Sequence, residues 1–339
     1  MNRLRRWLAP ALVFVAGSIA GAGAYALWFR SLPLLEAKRV YAEGKYDLAY
    51  SLAQAYLRQS VIWEPEAYAI SARSAAHQRR WAEAEQSFQR FSPAGAEDLW
   101  LHARSLAGLK KGAAALAVLT DLLRVNPGHA QALHLSVILN AEHPDRADIA
   151  LGLAERLAEI PSHRITAHLA GGSIAFQHGR FEPAIVHFEK ALEISPTLDG
   201  QAEDFPKFQV TDALEFLVDA CIVKREYERA EPHARKLYQQ RPTADSALKI
   251  ARIMREQGKE REAMAFAETA VKKDGQLAAA AVLLGELKLD GGKFEEAEAL
   301  FKRALALEPR NAPAKKALEW IQRRSAKPAA STPIVPGRE

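Results

Sequence analysis

The feature that most constrains this chain of 339 residues is an internal repeat. The two clearest copies have identical spacing from a first glycine to a closing proline. They consist of Gly172, Gly179, Phe181, Ala184, Phe188, Ala191 and Pro196, and of Gly285, Gly292, Phe294, Ala297, Phe301, Ala304 and Pro309. A chain that repeats itself at a short fixed period builds its core by stacking similar units, each of which contacts its neighbours.

Sliding this pattern along the chain finds weaker copies, each anchored by an alanine. The eight anchors are Ala49, Ala84, Ala115, Ala150, Ala184, Ala230, Ala263 and Ala297. Their separations are 35, 31, 35, 34, 46, 33 and 34 residues, so only one step departs strongly from the period. The long step predicts an insertion at 197–210, which is either a functional loop or a slack connection.

Each unit is predicted to be two antiparallel helices. Apolar residues make up 49% of the chain and alanine and leucine dominate, a composition that favours helix. A glycine such as Gly292 makes the turn inside the unit, and a proline such as Pro309 stops the second helix. Small residues at positions such as Gly285 and Ala297 let the helices approach closely where they cross.

This pattern of small residue, glycine, aromatic, alanine, aromatic, alanine and proline resembles the tetratricopeptide repeat, over about residues 30–311. The resemblance implies an all-α, right-handed superhelical solenoid of about eight helix pairs that binds protein partners. A further amphipathic helix at 312–324 is predicted to cap the array. Residues 325–339 hold three prolines and are predicted to be disordered.

The first thirty residues predict a transmembrane helix. Residues 1–7 are basic, and residues 8–29 contain no charge over a length that spans a bilayer core. Three arginines precede this segment and Arg30 follows it, so the amino terminus is expected in the cytoplasm and the array on the far side. This favours a single-pass protein of the bacterial inner membrane with a periplasmic array.

Two further interpretations of this segment stay open. Small residues at 22–26 are also typical of signal-peptide cleavage sites, so residues 1–26 could be removed. Gly17 and Gly21 form a G-x-x-x-G step, which is compatible with a homodimer through this helix.

Charge and motifs exclude several classes of function. The net charge of +5 arises at the two ends, and the body between them carries −2, which argues against nucleic-acid binding. The sequence has no metal-binding His motif, phosphate loop or nucleophile motif, so we expect no enzyme activity and no cofactor or metal. Gly171 and Gly172 occupy packing positions, and Cys221 is predicted to be a buried, inert thiol.

The candidate binding residues follow from the resemblance, which implies that first helices line a groove. Lys38, Arg73 and Arg104 occupy equivalent positions in three successive units and predict a basic ladder, accompanied by Tyr41 and Trp100. A later unit presents an acidic patch. The patch residues are Asp212, Glu215 and Asp219.

These features predict a membrane-tethered scaffold that binds partner proteins, among them a protein with an acidic segment. The predicted process is assembly, secretion or envelope biogenesis. Glu97 stands where some relatives have the basic residue of a clamp for carboxyl-terminal peptides, which speaks against a ligand of that kind. One alternative is an accessory subunit of an enzyme or glycan-handling complex. Another is an organelle import receptor whose array faces the cytosol.

Overall fold

A computed structural model describes residues 32–60, 63–93, 95–194 and 210–326. These residues form helices and no strand, which confirms the all-α prediction for this part of the chain. They divide into two compact units, one ending at His143 and the other beginning at Pro144. The boundary falls inside the predicted repeat that is anchored by Ala150.

The unit up to His143 contains seven described helices. They are α1 (32–42), α2 (Tyr46–Gln59), α3 (Pro65–His77), α4 (Trp81–Phe88), α5 (Ala96–Gly108), α6 (Gly112–Val125) and α7 (Ala130–Ala141). Helices α4 and α6 pack against α3 and α5, α2 shares a buried apolar cluster with α1, and α3 also contacts α5. The odd-numbered members are called first helices below, and the even-numbered members second helices.

The unit from Pro144 contains ten described helices besides two short 3₁₀ turns at Pro144–Arg146 and Pro161–His163. The helices are α8 (Ala147–Ala158), α9 (Arg164–Gln177), α10 (Phe181–Ile194), α11 (Val210–Val223), α12 (Tyr227–Gln240), α13 (Ala244–Glu256), α14 (Glu260–Lys273), α15 (Ala278–Asp290), α16 (Phe294–Leu307) and α17 (Ala312–Ala326). The first helices α9, α11, α13 and α15 each pack against the second helix that follows, and α8 packs against α9. In addition, α9 contacts α11, and α13 contacts α15.

The helices form for local reasons as well as by packing. In α14 the acids Glu260 and Glu262 occupy the first turn and Lys272 and Lys273 the last, which complements the helix dipole at both ends. Thr243 caps α13, accepting a hydrogen bond from the backbone N–H of Ser246.

Packing follows the predicted frame. All eight anchor alanines are fully buried. At the helix crossings, a Cβ added to Gly172 would lie 2.8 Å from the Phe188 ring, and one added to Gly285 would lie 2.9 Å from the Phe301 ring. The small residues therefore stand where an aromatic ring of the second helix presses on the first, which confirms the predicted helix crossings.

Some sequence predictions fall outside the described residues. The predicted transmembrane helix at 8–29 does so, as does the insertion up to its last residue, since α11 begins at Val210. Of the tail predicted at 325–339, residues 327–339 lie outside as well, whereas Ala326 still belongs to α17, two residues beyond the predicted end of the capping helix. Among the described helices, none combines the length and apolar character needed to cross a bilayer.

The turns inside the units have left-handed backbone, and glycine does not always supply it. Gly44, Gly179, Gly258 and Gly292 have φ between 68° and 75° there, as the glycine pattern predicted. The equivalent residues of three other units are Arg79, Lys110 and Arg225, with φ of 59° or 60°. A side chain in this region costs about 1–2 kcal/mol, because its Cβ approaches the backbone.

Replacing Lys110 with glycine is therefore expected to raise the free energy of unfolding by about 0.5–1 kcal/mol, the relief of strain less the flexibility that glycine adds to the unfolded chain. Gly292→Ala is the reciprocal change, with nothing within 4 Å of the added Cβ, and should lower stability by about 1 kcal/mol. Urea melts of both variants measure the two effects. Equal melting of all three proteins would contradict the interpretation.

Candidate functional site

The predicted ladder begins at Lys38, whose charge is already paired. Its Nζ lies 2.5 Å from Oε1 of Glu66, in the first turn of the next first helix. The two side chains are 39% and 53% exposed. An ion pair this exposed contributes only about 0–1 kcal/mol, so a partner's carboxylate could replace Glu66 at little cost.

The second ladder residue, Arg73, is held more firmly. Its Nε and Nη2 donate to the two carboxylate oxygens of Asp98, at 2.5 and 2.9 Å. The Arg73 side chain is 28% exposed and that of Asp98 only 9%. The hydrogen bond to Asp98 raises the pKa of the Arg73 guanidinium above its ordinary value. This bidentate pair joins α3 to α5, so the Arg73 guanidinium is not free to bind a partner as an unpaired cation would be.

Tyr41 joins three successive first helices. Its hydroxyl donates to Oε1 of Glu97 on α5, at 2.6 Å, and lies 3.4 Å from Nε2 of His77 on α3. The His77 ring in turn stacks on Tyr46, with ring centroids 4.2 Å apart. Burial and the hydrogen bond to Glu97 raise the pKa of the Tyr41 phenol, and burial lowers the pKa of His77. At neutral pH this contact is thus a neutral phenol bonded to a carboxylate.

The third ladder residue, Arg104, differs from the other two. It forms no ion pair with another described residue, and its guanidinium carbon lies 5.6 Å from the ring centroid of Trp81. Trp100 is one helical turn away on α5, so the two side chains share a face. The centroid of the Trp100 ring lies 5.7 Å from the centroid of the His129 ring. Arg104 is therefore a half-buried cation among aromatic rings.

The sequence explains why Arg104, alone among the three ladder cations, has no acidic ion-pair partner among the described residues. The partners of the first two cations come from the first turn of the following first helix, where α3 has Glu66 and α5 has Glu97 and Asp98. The first turn of α7 has no acidic residue. The repeat pattern of the sequence alone could have shown that Arg104 has no acid in the following first helix. To rank the three cations by how firmly their charge is held, the burial of Asp98 must also be known.

The acidic patch of the second unit is also partly paired. Asp212 and Glu215 on α11 accept hydrogen bonds from Arg241, at 3.0 and 3.2 Å. Asp219, one turn further on, accepts a hydrogen bond of 2.5 Å from the Lys249 ammonium, which also approaches Asp245 at 3.4 Å.

The cations of this patch were not predicted. Lys249 is only 7% exposed, and its Nζ lies within 4 Å of carboxylate oxygens of Asp219, Asp245 and Glu215. Arg241 and Lys249 face Asp212, Glu215, Asp219 and Asp245, so the network keeps an excess of acid.

Metal ligands and a reactive thiol are two further candidates for chemistry among the described residues. No group of three or more His, Cys, Asp or Glu side chains among them could hold a metal ion. Cys221 is buried, and burial raises the pKa of its thiol to about 12, so it stays protonated and unreactive at neutral pH.

Comparison with known protein families finds two matches. Residues 166–198 match the family described as tetratricopeptide repeat, and residues 223–304 match the family described as anaphase-promoting complex, cyclosome, subunit 3. No curated protein matches the chain.

Solved structures also resemble it. YrrB, described as a TPR protein with an unusual peptide-binding site, is 17% identical, with a TM-score of 0.49 over 59% of this chain and 97% of that one. MamA protein is 15% identical, with a TM-score of 0.42 over 48% of this chain and 83% of that one. The TPR domain of Arabidopsis OM64 is 20% identical, with a TM-score of 0.33 over 34% and 95% of the two chains.

Three findings agree on the family. The helices pair in sequence order, the anchor alanines are fully buried, and the family match at 166–198 covers one of the two clearest copies of the repeat. The fold is that of a protein-interaction scaffold. The chain is a tetratricopeptide-repeat protein.

Proposed function

We propose that this protein is a membrane-tethered scaffold that binds a segment of a partner protein on the first helices of residues 32–143, in assembly, secretion or envelope biogenesis. Tetratricopeptide-repeat proteins are generally binding scaffolds rather than enzymes, which supports the general class. One observation carries the choice of surface: Arg104 has no ion-pair partner among the described residues and lies one turn from Trp100.

An acidic segment suits this surface best. Lys38 and Arg73 already contact carboxylates, so a new carboxylate gains most by meeting Arg104. The exposed pair of Lys38 with Glu66 can open at little cost, whereas the pair of Arg73 with Asp98 is expected to stay closed. Trp100 supplies an apolar contact of the kind that anchors interfaces. Binding therefore centres on Arg104, with Lys38 as a second contact.

The variant Arg104→Gln tests this surface. Solvated ion pairs contribute about 0.2–1 kcal/mol, so partner captured by crosslinking in membranes should fall by up to about fivefold. The loss should shrink as salt rises, because salt screens exposed charges. Arg124→Gln removes a cation that is 78% exposed on the second helix α6, and it serves as the matched control.

Equal capture by the parent and by Arg104→Gln, at low salt and with unchanged helicity, would rule this surface out. An equal loss in the Arg124→Gln control would show that the effect is one of overall charge.

The side of the membrane on which the array lies is tested separately. Because three arginines precede residues 8–29, a periplasm-active phosphatase fused after Glu339 should be active. A reporter that works only in the cytoplasm should be silent at the same position. The opposite result would place the array in the cytoplasm, as in the alternative of a cytosol-facing import receptor, and would leave the binding surface unaffected.

A further inference from the structure

A cleft of about 480 Å³ lies between the second helices α8 and α10, and the first helix α9 contributes to its lining. Its lining shares no residue with the proposed binding surface, whose first helices belong to the other unit. Ala158 of α8 and Pro183 and Val186 of α10 give it apolar walls, and Val186 is 36% exposed. Such walls accept the flat or hydrocarbon part of a ligand.

The charged residues of the cleft are mainly acidic. Glu155 of α8 and Glu159, the residue that follows its last turn, are four residues apart and share a face, and neither forms an ion pair with another described residue. Glu182 of α10 adds a third carboxylate, 3.5 Å from Arg229. Lys190 is the one cation among the lining residues. With three carboxylates and one ammonium, the lining carries at least two carboxylates that no lining cation neutralises.

Two buried histidines complete the lining. His168 of α9 and His187 of α10 are each 8% exposed, and their Nδ1 atoms lie 3.1 Å apart. Only one proton fits between two nitrogens at that distance, so one ring donates through Nδ1–H and the other accepts. If both rings are neutral, one Nε2 is a bare acceptor and the other carries a hydrogen.

The neutral state of the pair follows from its surroundings. Burial lowers the pKa of His168 to about 4, with a further contribution from His187, and burial also lowers the pKa of His187. Gly171 allows the close packing, because a Cβ there would lie 2.8 Å from Cε1 of His187. At neutral pH the histidines therefore add hydrogen-bonding capacity without repelling a cation.

We propose that this cleft binds an arginine side chain of a partner protein. A guanidinium presents five N–H donors in a planar fork, which suits several separate carboxylates and a bare imidazole nitrogen. Its flat face packs on apolar walls such as Val186 and Pro183. The ammonium of lysine is a compact charge with strong hydration and would use the walls less well.

The test uses the full chain in detergent micelles at about pH 7, with its histidine rings labelled with carbon-13. The His168 and His187 resonances are assigned by single replacements with asparagine. N-acetyl-arginine amide is the probe, and N-acetyl-citrulline amide is its neutral counterpart of nearly equal shape. The arginine probe should shift both resonances saturably, with a dissociation constant in the millimolar range, and citrulline should bind at least about tenfold more weakly.

Variants then locate the effect. Glu155→Gln with Glu159→Gln should weaken arginine binding about tenfold. Both residues are exposed, so the fold should be preserved. Glu228→Gln with Glu260→Gln removes two exposed acids from other second helices and should leave binding unchanged.

Several results would overturn the proposal. They are equal binding of citrulline and arginine, equal weakening by the control variant, and absence of a saturable shift at the two histidine rings. Equal binding of N-acetyl-lysine amide would overturn the assignment to arginine. None of these outcomes bears on Arg104 or on the membrane topology, so failure here is distinguishable from failure of the proposed function.

Discussion

Replacing Arg73 with serine is expected to lower the free energy of unfolding of the unit up to His143 by about 2–4 kcal/mol, the largest single effect on its charged surface. The change removes both hydrogen bonds to Asp98, whose side chain is 9% exposed. A carboxylate left without its partner in such a place loses hydration without compensation. Most of the lost stability therefore comes from the poorly hydrated, unpaired Asp98 carboxylate, and less comes from the lost attraction between the two charges.

Two features set the size of the effect. Asp98 lies in the first turn of α5, where the positive end of the helix dipole partly stabilises a carboxylate. Arg73 also remains 28% exposed, so the pair is only partly removed from water. Both features reduce the loss below the value for a fully buried pair.

A double-mutant cycle with urea melts measures this coupling. Asp98→Ala added to Arg73→Ser should recover much of the lost stability, because the stranded charge is then gone. Lys38→Ser, which breaks the exposed pair with Glu66, serves as the control and should cost less than about 1 kcal/mol. If Arg73→Ser and Lys38→Ser melted alike, the structural role assigned to Arg73 would be wrong.

The consequence for binding is practical. A triple replacement of Lys38, Arg73 and Arg104 would mix a loss of stability with a loss of affinity. Arg104→Gln separates the two, because Arg104 has no acid to strand among the described residues. Any fall in partner capture by that variant can then be attributed to the surface itself.

The repeat frame was predictable because it rests on the sizes of residues. An anchor such as Ala263 or Ala297 is fully buried, and a small residue there allows two helices to pack closely. The same frame could have identified Arg79, Lys110 and Arg225 as turn residues, although they lack the glycine that marks the other turns. Backbone geometry repeats with the unit even where the residue type changes.

The partners of the charged residues were harder to predict. Arg73 and Asp98 are 25 residues apart, and their bidentate contact depends on the angle between α3 and α5 and on rotamers. The same holds for Lys249, which the sequence shows as one lysine among many but the structure buries beside Asp219. Sequence position places a charge on a face, whereas its availability depends on the neighbouring helix.

Acidification is expected to destabilise the second unit through the pair of His168 and His187. In the unfolded chain a histidine binds a proton below about pH 6.5. In the folded protein burial lowers the pKa of His168 to about 4, and His187, Lys190 and Arg164 oppose its protonation further. Between these two pKa values the unfolded state binds more protons, so stability is present above about pH 6.5 and is lost as the pH falls.

For His168 alone, the loss should amount to about 2 kcal/mol between pH 7 and pH 5, from the difference between its folded and unfolded pKa values. Urea melts at the two pH values measure it. In His168→Asn the amide replaces Nδ1 as a hydrogen-bonding partner of His187 but does not titrate, so this variant should lose less stability on acidification than the parent. His143→Gln changes an exposed histidine and should leave the parent's pH dependence intact. Equal losses in the parent and in His168→Asn would mean that the two rings do not exclude protons from the folded state, and the neutral pair assigned to the cleft would be wrong.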